Sequence, residues 1–153
     1  TQHTLMQKRL APRLDDILLA KNGTTGVAAI VDKNVIFNIY VSLALLRPSE
    51  KIRPRYLLHF VNSPAAKVQF NKRLKGTGVP NLHLNEIRDV IVSFPTSIDE
   101  QSLVVSKVDG LLEKRKKLED IYENKLKSLD ELKKSLLQKA FSGELTKGEG
   151  RAA

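Results

Sequence analysis

The residues that could carry catalysis are few and poorly spaced for it. His3, His59 and His83 are scattered, and none stands in an H-x-x-H or H-E-x-x-H arrangement that would present two imidazoles to one metal. There is no Cys, which excludes a disulfide framework and a thiolate zinc site. Carboxylates pair at Asp15-Asp16 and at Asp99-Glu100. The second pair belongs to a helix start, and the first, at the head of an apolar run, reads as a turn. Gly23-x-x-Gly26 and Gly76-x-Gly78 are too short for a dinucleotide fingerprint or a P-loop. No nucleophile–base pattern stands out. The residues favour binding over catalysis, with no metal site and no cofactor expected in this chain.

As binding elements, both glycine loops make sense. Each combines small residues, hydroxyls and a neighbouring cation: Lys21 and Asn22 with Thr24 and Thr25, then Lys72, Arg73 and Lys75 with Thr77. Small residues let backbone amides approach phosphates, Lys and Arg neutralise them, and Thr or Asn can reach base edges. The expected nucleic-acid contacts are therefore Lys72, Arg73, Lys75 and Thr77, together with Lys21, Asn22 and Thr24.

The charge distribution points the same way. The chain holds 26 Lys+Arg and 17 Asp+Glu, a formal net charge of +9 with a pI near 9.8. Thr1 to Ile98 carries 14 basic and 6 acidic residues, or +8, whereas Asp99 to Ala153 carries 12 and 11, or +1. The densest stretch, from Lys51 to Lys75, has seven cations and no acid. A field this one-sided attracts polyanions.

The elements that must position these residues are of two kinds. All six Pro lie at or before Pro95, and between Thr96 and Ser142 the only breaker is Gly110. Val104, Val108, Leu111, Arg115, Leu118, Tyr122, Lys125, Leu129, Leu132 and Leu136 follow one another at alternating four- and three-residue steps, a heptad seam. Ser97-Ile98-Asp99-Glu100 is a capping box that starts the helix, and Gly143 after Phe141-Ser142 ends it. A helix from about Asp99 to Phe141 would be roughly 65 Å long. It could not bury its seam on a 98-residue globule roughly 25 Å across. Val108, Leu111, Leu118, Tyr122, Leu129, Leu132 and Leu136 are therefore expected to pair with a second long helix, and an isolated chain is expected to form a homodimer. Arg115 and Lys125 interrupt the seam and can fix its register. The basic run Lys114–Lys117 lies inside the heptads rather than before them, unlike the DNA-binding region of a zipper factor.

The preceding part reads as mixed α/β, which makes the whole chain α+β: a small globular domain followed by one long coiled-coil-type helix. Leu14–Ala20, Val27–Val31 and Ile39–Leu46 suit strands, as does Val90–Phe94 before Pro95. Helices are expected at Arg55–Asn62 after Pro54, with Leu57, Phe60 and Val61 on one face, and from Ser63-Pro64 to about Leu74. The expected organisation is a DNA-binding domain over 1–98, the helix over 99–142 and a flexible tail over 143–153.

At 153 residues and 41% hydrophobic content the chain suits one small domain with an appendage, too apolar to be disordered. It shows no apolar run of the ~18 residues needed to cross a bilayer and no signal peptide, so a soluble cytoplasmic protein without membrane partners is expected. It opens at Thr1 without a Met, as a processed chain or a fragment would.

Four segments carry a resemblance. Leu14-Asp15-Asp16-Ile17-Leu18-Leu19-Ala20-Lys21-Asn22-Gly23 comes first, then Gly76-Thr77-Gly78-Val79-Pro80-Asn81-Leu82. Val92-Ser93-Phe94-Pro95 with Asp99-Glu100-Gln101 leads into the helix, and Leu136-Leu137-Gln138-Lys139-Ala140-Phe141-Ser142-Gly143-Glu144-Leu145 leaves it. In this order they resemble the C-terminal portion of a type I restriction–modification specificity subunit.

The resemblance implies part of a target-recognition domain, expected to be truncated at its start, and one of two long helices that pack antiparallel. Such a subunit reads a split site in double-stranded DNA. It directs adenine methylation by modification subunits, which would bind S-adenosylmethionine, and cleavage by a motor–endonuclease subunit. It would have no catalysis of its own. A complete subunit has two domain–helix repeats and this chain has one, so it is expected to be either a fragment or a half-subunit that pairs with a second copy. An alternative reading is a coiled-coil adaptor whose basic globule binds an acidic protein. A third, a self-sufficient nuclease or methyltransferase, is disfavoured by the missing constellations.

Overall fold

The computed structural model describes residues 11–74 and 80–145. The chain divides into two compact units, Thr1–Val108 and Asp109–Ala153. Together they give the expected α+β architecture, a small sheet with helices and a single long helix at the end.

Three short strands, β1 (Ile17–Ala20), β2 (Ala28–Ile30) and β3 (Leu43–Leu46), form an antiparallel sheet in the order β2-β1-β3. They occupy three of the expected strand segments but are shorter at their starts. Asp15 takes a left-handed backbone at φ 68, which delays β1 to Ile17. Strand β1 is central because Ile17 and Leu19 alternate onto one buried face, where Leu19 pairs with Ala28 on one side and Ala44 on the other.

Helix α1 (Pro54–Val61) and helix α2 (Pro64–Asn71) each start with Pro in the first turn, where its missing N–H costs nothing. Ser63 caps α2 by accepting from the Ala66 N–H at 3.3 Å. Val61, with Leu57 and Phe60 partly buried beside it, and Ala66 and Phe70 pack onto Leu19 and Ala44. Leu82 and Ile87, the latter from the short helix α3 (Leu84–Arg88), complete this core.

The expected strand Val90–Phe94 does not form. Its backbone polar groups find side chains instead of a neighbouring strand. Ile91 donates its N–H to Gln69 Oε1 and accepts from Gln69 Nε2, both at 2.9 Å, and Ser93 O accepts from the Tyr56 hydroxyl at 3.1 Å. A Gln amide offers the same donor–acceptor pair as a peptide group, so one residue replaces a strand partner. Asn62 does the same on the outer edge of β2, accepting from Ala28 N at 2.9 Å and donating to Ala28 O at 3.0 Å. That contact closes an edge open to further pairing.

Helix α4 (Ile98–Phe141) is 44 residues long and begins and ends as its capping residues require. Glu100 N–H donates to Ser97 Oγ at 3.3 Å. At the other end Gly143 is left-handed at φ 73, with Gly143 N–H donating to Ala140 O and Glu144 N–H to Lys139 O, a Schellman closure. The first turn is tied to the domain through Gln101, which is fully buried. Its Oε1 accepts from Arg53 N at 2.8 Å, and its Nε2 donates to Lys51 O at 2.9 Å and Pro95 O at 2.7 Å.

Within the second unit the helix shows its seam to solvent. Leu111, Leu118, Tyr122, Leu129, Leu132 and Leu136 are all exposed, whereas Val108, in the first unit, is half-buried. The seam cation Arg115 pairs with Glu119 at 3.3 Å, and Lys125 Nζ lies 5.8 Å from the centre of the Tyr122 ring. Glu113–Lys117 and Asp130–Lys134 add ion pairs in the orientation that suits a helix.

Candidate functional site

Two loops far apart in sequence meet at one end of the sheet. Gly23, at φ 69, and Gly26, at φ 79, allow the chain to turn back from β1 to β2 within Lys21–Gly26. This hairpin loop is held from two sides by backbone hydrogen bonds. Lys21 N–H donates to Ser42 O at 2.9 Å, just ahead of β3. Leu82 N–H donates to Lys21 O at 2.8 Å, Gly23 N–H donates to Pro80 O at 3.1 Å, and Asn22 forms an antiparallel bridge with Asn81. Lys21–Gly26 and Pro80–Leu82, which follows the second glycine segment in the chain, thus form one edge.

The end of α2 joins them. Phe70 is buried under Gly26, close enough that a Cβ on Gly26 would stand 3.3 Å from its ring. Lys72, at the C-cap of α2, and Arg73 follow directly.

These interactions sort the expected DNA-contacting residues by what they are free to do. Asn22, Thr24 and Lys72 are exposed, and Lys21 is half-buried. Arg73 is committed within the domain, its guanidinium donating to Gln69 O and Asp89 O, each at 3.1 Å. It braces α2 against the segment after α3. Lys75 and Thr77 lie outside the described residues, as does most of the tail expected over 143–153. One residue that the spacing did not single out belongs to the edge: Asn81, whose Oδ1 is buried without a hydrogen-bond partner among the described residues. Only its place beside the glycines hinted at it.

The Asp15-Asp16 pair is separated by the fold. Asp16 is buried and accepts from Arg47 and from the Arg13 N–H, so Arg47 holds its carboxyl below the usual carboxylate range against the opposing cost of burial. A carboxylate locked in this way is structural, as the turn reading expects. An open groove of about 470 Å³ runs past it, bordered by Arg13, Asp15, Arg47, Glu50 and Arg53. Charges of both signs line it, so it lacks the one-sided field a polyanion needs. Among the described residues no cluster of His, Asp or Glu could hold a metal, and no helix is long and apolar enough to cross a membrane.

The architecture is that of a small basic α+β domain whose chain continues into one long helix. Residues 6–129 match the family model described as type I restriction modification DNA specificity domain, and the chain belongs to that family. It is 32% identical over 143 residues to the EcoBI specificity subunit of Escherichia coli, covering 93% of this chain and 30% of that protein. It is 29% identical over 131 residues to the Escherichia coli EcoDI specificity subunit, covering 86% of this chain and 28% of that one. The fold is shared with the crystal structure of a type I restriction–modification S subunit from M. genitalium. The TM-score is 0.53 at 17% identity, over 69% of this chain and 28% of that one. The chain thus spans less than a third of the relatives it matches.

Proposed function

We propose that this chain is a sequence-reading DNA-binding module of a type I restriction–modification system. It directs modification and endonuclease subunits to a split site and performs no chemistry itself. S-adenosylmethionine would belong to the modification subunit, and the setting would be the cytoplasm. The observation that carries the reading is the stitching of Lys21–Gly26 to Pro80–Leu82, with Phe70, two residues before Lys72, packed under Gly26, because it gathers amide, hydroxyl and cation at one end of a domain. Cations there neutralise phosphates, while Asn22 and Thr24 are of the right chemistry for base edges.

The second part of the reading is that α4 pairs through Val108, Leu111, Leu118, Tyr122, Leu129, Leu132 and Leu136, in an isolated chain with a second copy. The exposed seam supports it: such a row of Leu in water favours association.

Fluorescence anisotropy with duplex DNA at several salt concentrations tests the first part. The parent should bind with a steep loss of affinity as salt rises. Lys21→Glu with Lys72→Glu should weaken binding and flatten the logarithmic slope by about 0.9 for each phosphate no longer neutralised. Binding without salt dependence, or unaffected by both reversals, would refute it. Family membership favours this reading over an adaptor for an acidic protein, which would gain if the parent showed no salt-dependent DNA binding.

A further inference from the structure

We infer that Tyr40, with Val41 beside it, is an apolar base-reading contact on the same DNA surface. The inference rests on the DNA reading of the glycine loops and adds what those loops lack. Tyr40 is 77% exposed and Val41 67%, although both sit in an ordered turn rather than a loose end. Leu43 N–H donates to Tyr40 O at 3.0 Å, closing the turn, and Leu43 then enters β3 opposite Ala20. The next rung is Lys21 N–H to Ser42 O at 2.9 Å. The turn is therefore fixed to the residue from which the first glycine loop departs, at the same end of the sheet as Asn22 and Thr24.

The chemistry of the two neighbours is complementary. Lys21 and Lys72 can neutralise phosphates, which are alike at every base pair. Asn22 and Thr24 can exchange hydrogen bonds with base edges. Of these only the single Thr24 methyl could touch the apolar features of DNA, namely the thymine methyl in the major groove and the faces of the bases. A rigid ring next to a branched aliphatic side chain suits those features, and it loses little conformational freedom on binding. An isolated exposed apolar residue needs no explanation. An adjacent pair held by the backbone of the proposed interface does.

The test is selection of duplexes from a random-sequence pool by the parent chain, Tyr40→Ala and Tyr40→Phe, with salt-dependent binding measured for each. At 77% exposure, truncation of Tyr40 leaves the core intact, and circular dichroism checks this. The parent should enrich a motif. Tyr40→Ala should keep the parent's salt slope but lose roughly tenfold preference or more at one or two adjacent base pairs. Tyr40→Phe should retain that preference. An unchanged motif for Tyr40→Ala overturns the proposal, and if its sedimentation changes instead, the turn is a protein contact. Loss of preference in Tyr40→Phe equal to that in Tyr40→Ala also overturns it, because the hydroxyl would then be the reader. Failure of the underlying DNA reading looks different: the parent binds no duplex, or reversing Lys21 and Lys72 changes neither affinity nor slope.

Discussion

The carboxylate of Asp16 holds the guanidinium of Arg47 with both oxygens, Nε donating to Oδ1 at 2.9 Å and Nη2 to Oδ2 at 2.7 Å. The pair joins the residue before β1 to the residue after β3, and Arg47 Nη2 also donates to Ala11 O at 3.3 Å. One end of the sheet is thereby fastened while the loops occupy the other. Asp16 titrates below its ordinary value near 4, chiefly because Arg47 bonds its charged form. A depressed acid contributes stability that is present above the unfolded-state pKa and is lost as pH falls through the folded value. Urea midpoints should therefore decline from pH 5 downward. Asp16→Asn should lower stability at pH 7 by about 1–3 kcal/mol and should show a weaker decline in acid.

Gln101 uses both amide N–H donors and its carbonyl oxygen inside the domain, with one acceptor bond and two donor bonds. Gln101→Leu should cost about 3 kcal/mol, since it strands the Arg53 N–H and two carbonyls. Gln101→Glu separates charge from shape. It places a carboxylate against the carbonyls of Lys51 and Pro95, so at pH 7 it should be less stable than the parent. Burial and those carbonyls raise its pKa, so its deficit relative to the parent should shrink as pH falls and the acid protonates. A deficit independent of pH in denaturant titrations would contradict this.

Gly26 is constrained twice, by its left-handed backbone and by Phe70 beneath it. Gly26→Ala should destabilise by about 1–2 kcal/mol from the backbone alone, and more if Phe70 has to move. Gly23 has a similar φ but open space around it, so Gly23→Ala should cost less. Thermal melts of the two variants compare them directly.

The seam predicts concentration-dependent assembly. Sedimentation at micromolar concentration should find the parent associated, and Leu118→Lys with Leu129→Lys should shift it to monomer. Leu118 and Leu129 are both exposed in the single chain, so the substitutions should leave its helix content unchanged. A parent that stays monomeric would refute pairing between copies.

The long helix and its ends were legible residue by residue. The information lies within a turn or two of chain: Ser97 before Glu100, a repeating seam, Gly143 after Phe141. The starts of α1 and α2 were legible for the same reason, through Pro54 and Ser63-Pro64. The segment Val90–Phe94 was not, because its apolar, β-branched run suits a strand while its partner is a side chain on α2. No local pattern announces that Gln69 will stand where a strand would.

The site divides along the same line. The sequence by itself determined that each glycine loop is short, polar and close to a cation, since that is composition over a few residues. Only the tertiary structure decided that Lys21–Gly26 shares an edge with Pro80–Leu82 and that the Tyr40 turn is bonded to Lys21. It also decided that Arg73 is engaged by carbonyls while Lys72 stays exposed. Most of those outcomes depend on pairing and packing between segments far apart in the chain, as Lys21 is from Ser42 and from Leu82. Such contacts are set by which buried faces fit together, and spacing along the chain does not encode that.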